Sequence, residues 1–210
     1  MKQILLILTI ITFSLLEVKA QVWNNSSKQT KTDTGRIARA QKKYQDLFGA
    51  QTVMNSSDPE LMNILQRFIF GEVFYTGNLD DKTRELITIT ALTTNQTLPQ
   101  LKVHTNAALN IGVKTVEIRE VVYQLAPFIG YPKVLNALDT INSVFKSRGT
   151  KLPLENEATI ADSQRFVKGK ALQYPLYGEG MKQNMKDLPG GLGEAISRIL
   201  TESCFGDFYT

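Results

Sequence analysis

The sequence predicts an all-α protein. Apolar residues recur at spacings of three and four along most of residues 35–148, as they do on one face of an α-helix. Cap residues such as Asp, Ser, Thr and Pro stand at the starts of these segments, and Gly stands at several of their ends. No stretch alternates apolar and polar residues over a convincing length, so no strand is expected. Because the connections are short, we expect an antiparallel helical bundle.

The first twenty residues have the pattern of a secretory signal peptide. A basic start at Lys2 precedes an apolar run from Ile4 to Leu16, and the small residues Val18 and Ala20 suit a cleavage site after residue 20. The alternative is a membrane anchor, but the run falls short of the about 20 apolar residues that span a bilayer. We therefore expect an exported protein without a stable membrane anchor after cleavage.

Cysteine usage refines this expectation of export. The chain has a single Cys, Cys204, and so makes no disulfide within itself. Small extracellular domains of eukaryotes usually depend on disulfides, so a periplasmic or secreted bacterial protein fits the sequence better.

Residues 21–34 are polar and are expected to form a flexible lead-in, and a helical domain is expected over residues 35–148. The first two helices carry apolar stripes at Ile37, Ala40, Tyr44, Leu47 and Phe48, and at Leu61, Ile64, Leu65, Phe68 and Ile69. Asp58 and Pro59 mark the start of the second helix, and Gly71 marks its end. Asp80 or Asp81 is expected to cap a third helix that contains Leu86, Ile87, Ile89 and Leu92.

Three more helices complete the predicted domain. One begins near Pro99 and ends at Gly112, and the next is capped by Thr115 and continues to Ala126. A break is expected at residues 130–132, and the last helix is expected over residues 134–145.

Residues 149–158 are expected to form a linker, after which the pattern starts again. Residues 169–178 resemble residues 40–49, and residues 205–210 resemble residues 70–76. Two such matches in the same order predict an internal duplication, with residues 159–210 as an incomplete second repeat. It is either a truncated form of a longer repeat or a half-repeat kept for packing.

Composition excludes several classes of function. With one His and one Cys, the chain lacks the residues for a multi-His metal centre, a Cys-rich zinc site or a CxxC redox pair, so neither metal nor cofactor is expected. Lys and Arg number 24 against 20 Asp and Glu, for a net charge of +4. No basic block contains interleaved aromatic residues, so no nucleic-acid partner is expected.

Two residues are candidates for chemistry. Glu85 lies within an otherwise apolar helix, and His104, the chain's single His, lies on the next one. A carboxylate that faces an imidazole across a helical hairpin makes an acid/base pair, because it orients the ring and stabilises the imidazolium. The alternative is a structural His104, with Glu85 paired to a basic residue on its own helix.

The region from Gly77 to Lys146 resembles the carboxymuconolactone decarboxylase family, which includes alkylhydroperoxidase D-like proteins. The matching motifs are Arg84-Glu85-Leu86, His104 with Ala107-Ala108 and Gly112-Val113, Glu117-Ile118-Arg119-Glu120, Tyr123-Gln124, Gly130-Tyr131-Pro132 and Asn136-Ala137. The upstream part and the second copy resemble exported two-repeat members. The resemblance implies an all-α bundle that assembles into trimers or hexamers.

The peroxidase branch of the family has two redox cysteines between its Glu and its His. At the corresponding positions this chain has Thr97 and Gln100, so a dithiol mechanism is excluded even though the family name would suggest a peroxiredoxin-type oxidoreductase. The decarboxylase branch retains the Glu and the His, which here are Glu85 and His104.

The resemblance therefore implies an acid/base lyase, of decarboxylase or isomerase type, acting on a small lactone or oxo acid. His104 would carry the proton and Glu85 would orient it. Thr97, Gln100, Tyr123 and Tyr131 are the candidate substrate-binding residues. The competing hypothesis is a non-catalytic helical scaffold or ligand-binding protein.

Overall fold

A computed structural model describes residues 35–49 and 57–209. Within these ranges every regular element is helical and no strand occurs, which confirms the predicted all-α fold. No helix among the described residues is long and apolar enough to cross a membrane. The predicted signal peptide and lead-in lie outside these ranges. The chain divides into two compact units, with the boundary between Leu79 and Asp80. The second unit thus contains both the region 80–148 and the region 159–209.

The first unit is a helical hairpin. It consists of residues 35–48 (α1), Pro59–Leu65 (α2), a π-helical segment Gln66–Phe70 and a 3-10 turn Val73–Tyr75. Gly71 packs so closely on α1 that an added Cβ would lie 2.6 Å from the carbonyl oxygen of Arg36. Arg36 also pairs with Glu72 at 2.7 Å. The ring of Phe70 contacts those of Tyr44 and Phe48, with centroids 5.5 and 5.6 Å apart.

The second unit begins with a bundle of five helices. They are Asp81–Asn95 (α3), Leu98–Asn110 (α4), Thr115–Tyr123 (α5), Ala126–Ile129 (α6) and Tyr131–Ser147 (α7). The core is formed by Ile89, Leu101, Ala108, Val113, Ile118, Val122, Ala126, Val134, Ala137, Ile141 and Phe145. These positions repeat at helical spacing, so burial of one apolar face of each helix drives the bundle together.

The ends of these helices refine the sequence predictions. Asp80, rather than Asp81, is the cap of α3: its side chain accepts a hydrogen bond from the Thr83 backbone N–H at 2.7 Å. This hydrogen bond also lowers the pKa of the Asp80 carboxyl. Thr115 is not a cap but the first residue of α5, since Lys114 holds the cap position and its N–H donates to Glu117 at 2.7 Å.

Two prolines in the bundle lie in the first turns of helices. The helix predicted over residues 115–126 ends at Tyr123, and the short α6 begins three residues later with Pro127 in its first turn. The break predicted at residues 130–132 is confined to Gly130, and α7 includes Pro132 in its first turn. Proline is accommodated there because the first N–H groups of a helix have no partner within it.

Residues 150–161 lead from α7 to a second hairpin, and Leu152 and Leu154 pack against the bundle core. The hairpin consists of Arg165–Tyr177 (α8), Gly180–Met185 (α9), Leu192–Ile199 (α10) and a π-helical segment Leu200–Phe208. At its end, the Phe208 side chain also packs against the bundle core, and the Phe208 carbonyl accepts a hydrogen bond from Gln124. The predicted linker thus leads to a hairpin that is docked on the bundle.

The contacts within the second hairpin parallel those within the first. An added Cβ on Gly206 would lie 2.6 Å from the carbonyl oxygen of Arg165, and Arg165 pairs with Asp207. The rings of Tyr177 and Phe205 are 6.0 Å apart. A glycine, an ion pair and an aromatic contact recur in the order that the sequence matches predict. These observations support our proposal that the two hairpins are copies of one unit.

The tight contact at Gly206 makes a measurable prediction. Gly206→Ala should destabilise the protein by about 1–3 kcal/mol, because the new Cβ meets the backbone of α8 and one helix must shift. Urea unfolding monitored by circular dichroism measures the change. Gly180→Ala is the control in the same hairpin, since an added Cβ there meets nothing within 4 Å. Equal midpoints for the two variants would contradict the close packing of α8 on the π-helical segment.

Candidate active site

Glu85 is completely buried in the bundle. Together with Ile89 and Thr93 it forms the inward face of α3, one residue per turn, and all three are 0% exposed. A carboxylate is one of the least common groups at such a position, because its charge loses hydration on burial. Its retention on the apolar face of a helix indicates a partner or a function.

The partner is His104 on α4. The His104 Nδ1 lies 2.8 Å from the Glu85 Oε2, and the His104 side chain is 17% exposed. An ionised carboxylate only accepts hydrogen bonds, so with Glu85 ionised the Nδ1–H of His104 is the donor. This bond selects one tautomer and leaves proton transfer to the Nε2 of the ring. The pair predicted from the sequence is therefore in direct contact.

The second oxygen of the Glu85 carboxylate is unusual. Oε1 is buried and has no hydrogen-bond partner among the described residues. Leaving a buried acceptor unsatisfied costs about 1–3 kcal/mol, and more for a charged group. Proteins rarely retain such an atom without a role, and active sites are among the places where they do.

The α3–α4 connection sets the distance between the two side chains. Gln96 adopts a left-handed conformation with φ of 57° and ends α3. Its side-chain amide donates to the carbonyl of Thr93 at 2.8 Å and to that of Lys133 at 3.0 Å, and it accepts from Asn136 at 3.0 Å. These bonds tie the corner to α7 and hold the two helices in register. No sequence pattern predicts a role for Gln96, whose polar side chain between two predicted helices is the one signal in the sequence.

The other predicted site residues lie in two places. Thr97 and Gln100 are exposed residues at the start of α4, and their spacing of three and four residues puts them on the same helix face as His104. Tyr131 is the first residue of α7 and is 60% exposed. Tyr123, on α5, is 38% exposed and lies beneath the guanidinium of Arg119, 5.4 Å from the ring centroid.

Tyr123 lines two open clefts in the second unit. One, of about 620 Å³, lies between α5, residues 154–158 and the end of the second hairpin. The other, of about 540 Å³, lies between α5, α7 and residues 152–154. Neither is lined by Glu85 or His104, so the structure associates Tyr123 with a region other than the acid/base pair.

Cys204 lies in the second hairpin, and burial raises the pKa of its thiol, which disfavours the nucleophilic thiolate. No group of three or more His, Cys, Asp or Glu side chains in the described ranges could hold a metal ion.

Comparisons with known proteins agree on a family. Residues 59–142 match the model of the carboxymuconolactone decarboxylase family. The chain is 30% identical over 96 residues to 4-carboxymuconolactone decarboxylase of Acinetobacter baylyi, covering 46% of this chain and 72% of that protein. It is 31% identical over 94 residues to nitrosuccinic acid decarboxylase of Metarhizium robertsii, covering 43% of this chain and 66% of that protein.

A third relative is an uncharacterized protein. An uncharacterized 15.0 kDa protein of Paracoccus denitrificans is 40% identical to the chain over 78 residues, covering 36% of this chain and 58% of that protein. Two of the three relatives are thus matched over less than two thirds of their own length.

Proposed function

Because the chain belongs to the carboxymuconolactone decarboxylase family, we propose that it is an acid/base lyase that removes a carboxyl group from a small lactone or oxo acid. Glu85 and His104 are the proposed catalytic pair. The observation that carries the proposal is the 2.8 Å contact of His104 with a carboxylate that is completely buried.

The pair suits a reaction at a carbon next to a carbonyl group. In such an acid the bond from that carbon to the carboxylate breaks, carbon dioxide leaves and the electron pair moves onto the carbonyl oxygen as an enolate; in nitrosuccinate the nitro group takes the place of the carbonyl and a nitronate forms. His104 then donates the proton from Nε2 to the carbon, which restores the carbonyl, and solvent returns a proton to His104. One carboxylate and one proton are consumed, and one carbon dioxide and one C–H bond are formed.

Glu85 acts on this step through His104. Its negative charge stabilises the imidazolium, and the hydrogen bond to Nδ1 fixes the ring plane so that Nε2 points in one direction. Burial strengthens both effects, because the charge of a group that is 0% exposed is poorly screened by water.

The relatives support a small carboxylic acid as the substrate. Two of them are named as decarboxylases, and both names specify small carboxylic acids as the substrates. The replacement of both redox cysteines by Thr97 and Gln100 argues against the dithiol peroxidase reaction.

Two further features belong to the proposal. The signal-peptide pattern of residues 1–20 supports export to the periplasm or the medium, and the family resemblance supports a homo-oligomer, a trimer or a hexamer. Mass spectrometry of the mature N-terminus and analytical ultracentrifugation test these two points.

Release of carbon dioxide from 4-carboxymuconolactone and from nitrosuccinate tests the activity. The wild-type protein should turn over at least one of these acids, and Glu85→Gln should lower kcat by about tenfold or more, because the imidazolium loses its countercharge. Glu194→Gln, at an exposed position on α10, is the control and should behave as the wild type.

Two results would overturn the proposal. One is hydroperoxide reduction with thiol donors in the absence of any decarboxylation. The other is full decarboxylase activity in the Glu85→Gln variant, which would show that the carboxylate has no part in the reaction.

A further inference from the structure

The cleft of about 540 Å³, here called the α5–α7 cleft, has the size of a small-molecule site. Its walls are one face of α5, one face of α7 and residues 152–154. Ligand sites commonly enclose about 300–1,000 Å³ and combine an apolar surface with a few polar groups. The α5–α7 cleft has both, and the Glu85–His104 pair does not line it.

Arg119 is held in place by several contacts in this cleft. The residue is only 9% exposed. Its Nη1 donates to the carbonyl of Glu155 at 2.7 Å, while Nε and Nη2 lie 3.0 and 2.8 Å from one oxygen of Glu120. A guanidinium has five N–H groups, so this arrangement leaves two for another acceptor. The position of the fork is already set by its partners, so little conformational entropy is lost when it binds a ligand.

The charges in the cleft favour an anion. Arg119 and Lys146 contribute two positive charges against the single negative charge of Asp139. Glu120 forms an ion pair with Arg119 and so partly neutralises its charge. The Glu120 side chain is 39% exposed, however, and its negative charge is therefore partly screened by solvent.

The neighbouring cleft of about 620 Å³ has the opposite balance. There Arg119 is the single basic residue, and it faces Glu117, Glu120, Glu157 and Asp207. An anion that approaches Arg119 is therefore repelled on one side of α5 and attracted on the other.

The remaining walls provide an apolar surface. The Tyr123 ring is held under the Arg119 guanidinium at 5.4 Å, and Leu152 and Leu154 are partly buried against the bundle core. All three line the α5–α7 cleft. A ligand with a carboxylate at one end and a ring at the other would thus meet a cationic end and an apolar end.

We propose that the α5–α7 cleft is a second binding site, for a small organic carboxylate that carries an aromatic or aliphatic ring. The carboxylate binds Arg119 and Lys146, and the ring packs on Tyr123 and Leu154. This site is separate from the Glu85–His104 pair, and occupation of the one does not require the other. It therefore goes beyond the lyase reaction proposed above and does not depend on it.

Titration calorimetry with benzoate tests the proposal, with benzamide and benzylamine as neutral and cationic probes of similar size. Benzoate should bind at least about tenfold more tightly than either, because only the anion pairs with the guanidinium. Lys146→Met should weaken benzoate binding on the order of fivefold, as expected for a partly solvated ion pair. Lys151→Met, at an exposed lysine next to the cleft that does not line it, should leave the binding unchanged.

Two more variants complete the design. Arg119→Lys keeps the charge but loses the fork, and should weaken benzoate binding about tenfold. Because Arg119→Lys also removes the hydrogen bond to the carbonyl of Glu155, its thermal unfolding is compared with that of the wild type. If this variant fails to fold, the effect of the exposed Lys146→Met variant on benzoate binding decides. His104→Ala should leave benzoate binding unchanged. The proposal is overturned if the three probes bind equally, or if none of them binds at probe concentrations up to about 10 mM. It is also overturned if Lys146→Met has no effect on benzoate binding, or if His104→Ala abolishes it.

Discussion

Replacing His104 by alanine should lower the kcat of decarboxylation by about 10²- to 10⁴-fold, the usual contribution of a positioned acid or base. The variant removes the atom that delivers the proton and leaves Glu85 buried without its partner. The fold should survive with a reduced stability, because the core of the bundle is formed by other side chains. Initial rates of carbon dioxide release, together with circular dichroism of the same samples, measure both effects.

The neighbouring Val103→Ala variant is the matched control. Val103 lies on the same helix and is 43% exposed, so its truncation should leave kcat unchanged and should change the free energy of unfolding by no more than about 0.5 kcal/mol. A His104→Ala protein that is folded and retains wild-type kcat would remove His104 from the mechanism. Loss of activity in both variants would show that α4 as a whole is sensitive, and would leave no specific role for the imidazole.

Replacing Phe145 by alanine should lower the free energy of unfolding by about 3–5 kcal/mol, the range for a large side chain deleted from a core. Phe145 lies near the end of α7, is 0% exposed and belongs to the cluster that holds α3, α4, α5 and α7 together. Because native domains are stable by only about 5–15 kcal/mol, the variant should lose a large part of its stability. Urea unfolding at constant temperature gives the change directly.

Phe128→Ala makes the same chemical change at a residue that is 70% exposed on α6. Little apolar area returns to water there on unfolding, so the expected loss is within about 0.5 kcal/mol. Equal losses for the two variants would mean that the interior of the bundle is not packed as described.

Much of the fold follows from local patterns in the sequence. Ile89, which the apolar stripe of the third helix predicted, lies in the core, and Asp80 was one of two candidates for the cap of α3. These predictions succeed because helical spacing and capping involve residues within four positions of one another.

The predictions that failed concern helix ends, at positions where the local sequence is compatible with more than one boundary. α5 ends at Tyr123 and Pro127 falls in α6, whereas Pro132 falls in α7, so the predicted helix ends were wrong at both places. Both prolines lie in the first turn of a helix, and the choice of where that turn begins depends on how α6 and α7 pack on the core. The π-helical segments at residues 66–70 and 200–208 have no sequence signal that we could identify.

For the site, the sequence by itself identified Glu85 and His104 as the candidate pair. It also argued against a dithiol reaction, because Thr97 and Gln100 stand where the peroxidase branch of the family has its two cysteines. Only the tertiary structure decided that the pair is in contact, that one carboxylate oxygen is buried without a hydrogen-bond partner among the described residues, and that Arg119 lies between two clefts of opposite charge. Glu85 and His104 are 19 residues apart, Arg119 and Glu155 are 36 apart, and Gln124 and Phe208 are 84 apart. Local propensity determines which residues share a helix face, whereas contacts over such separations form only when whole helices pack against one another.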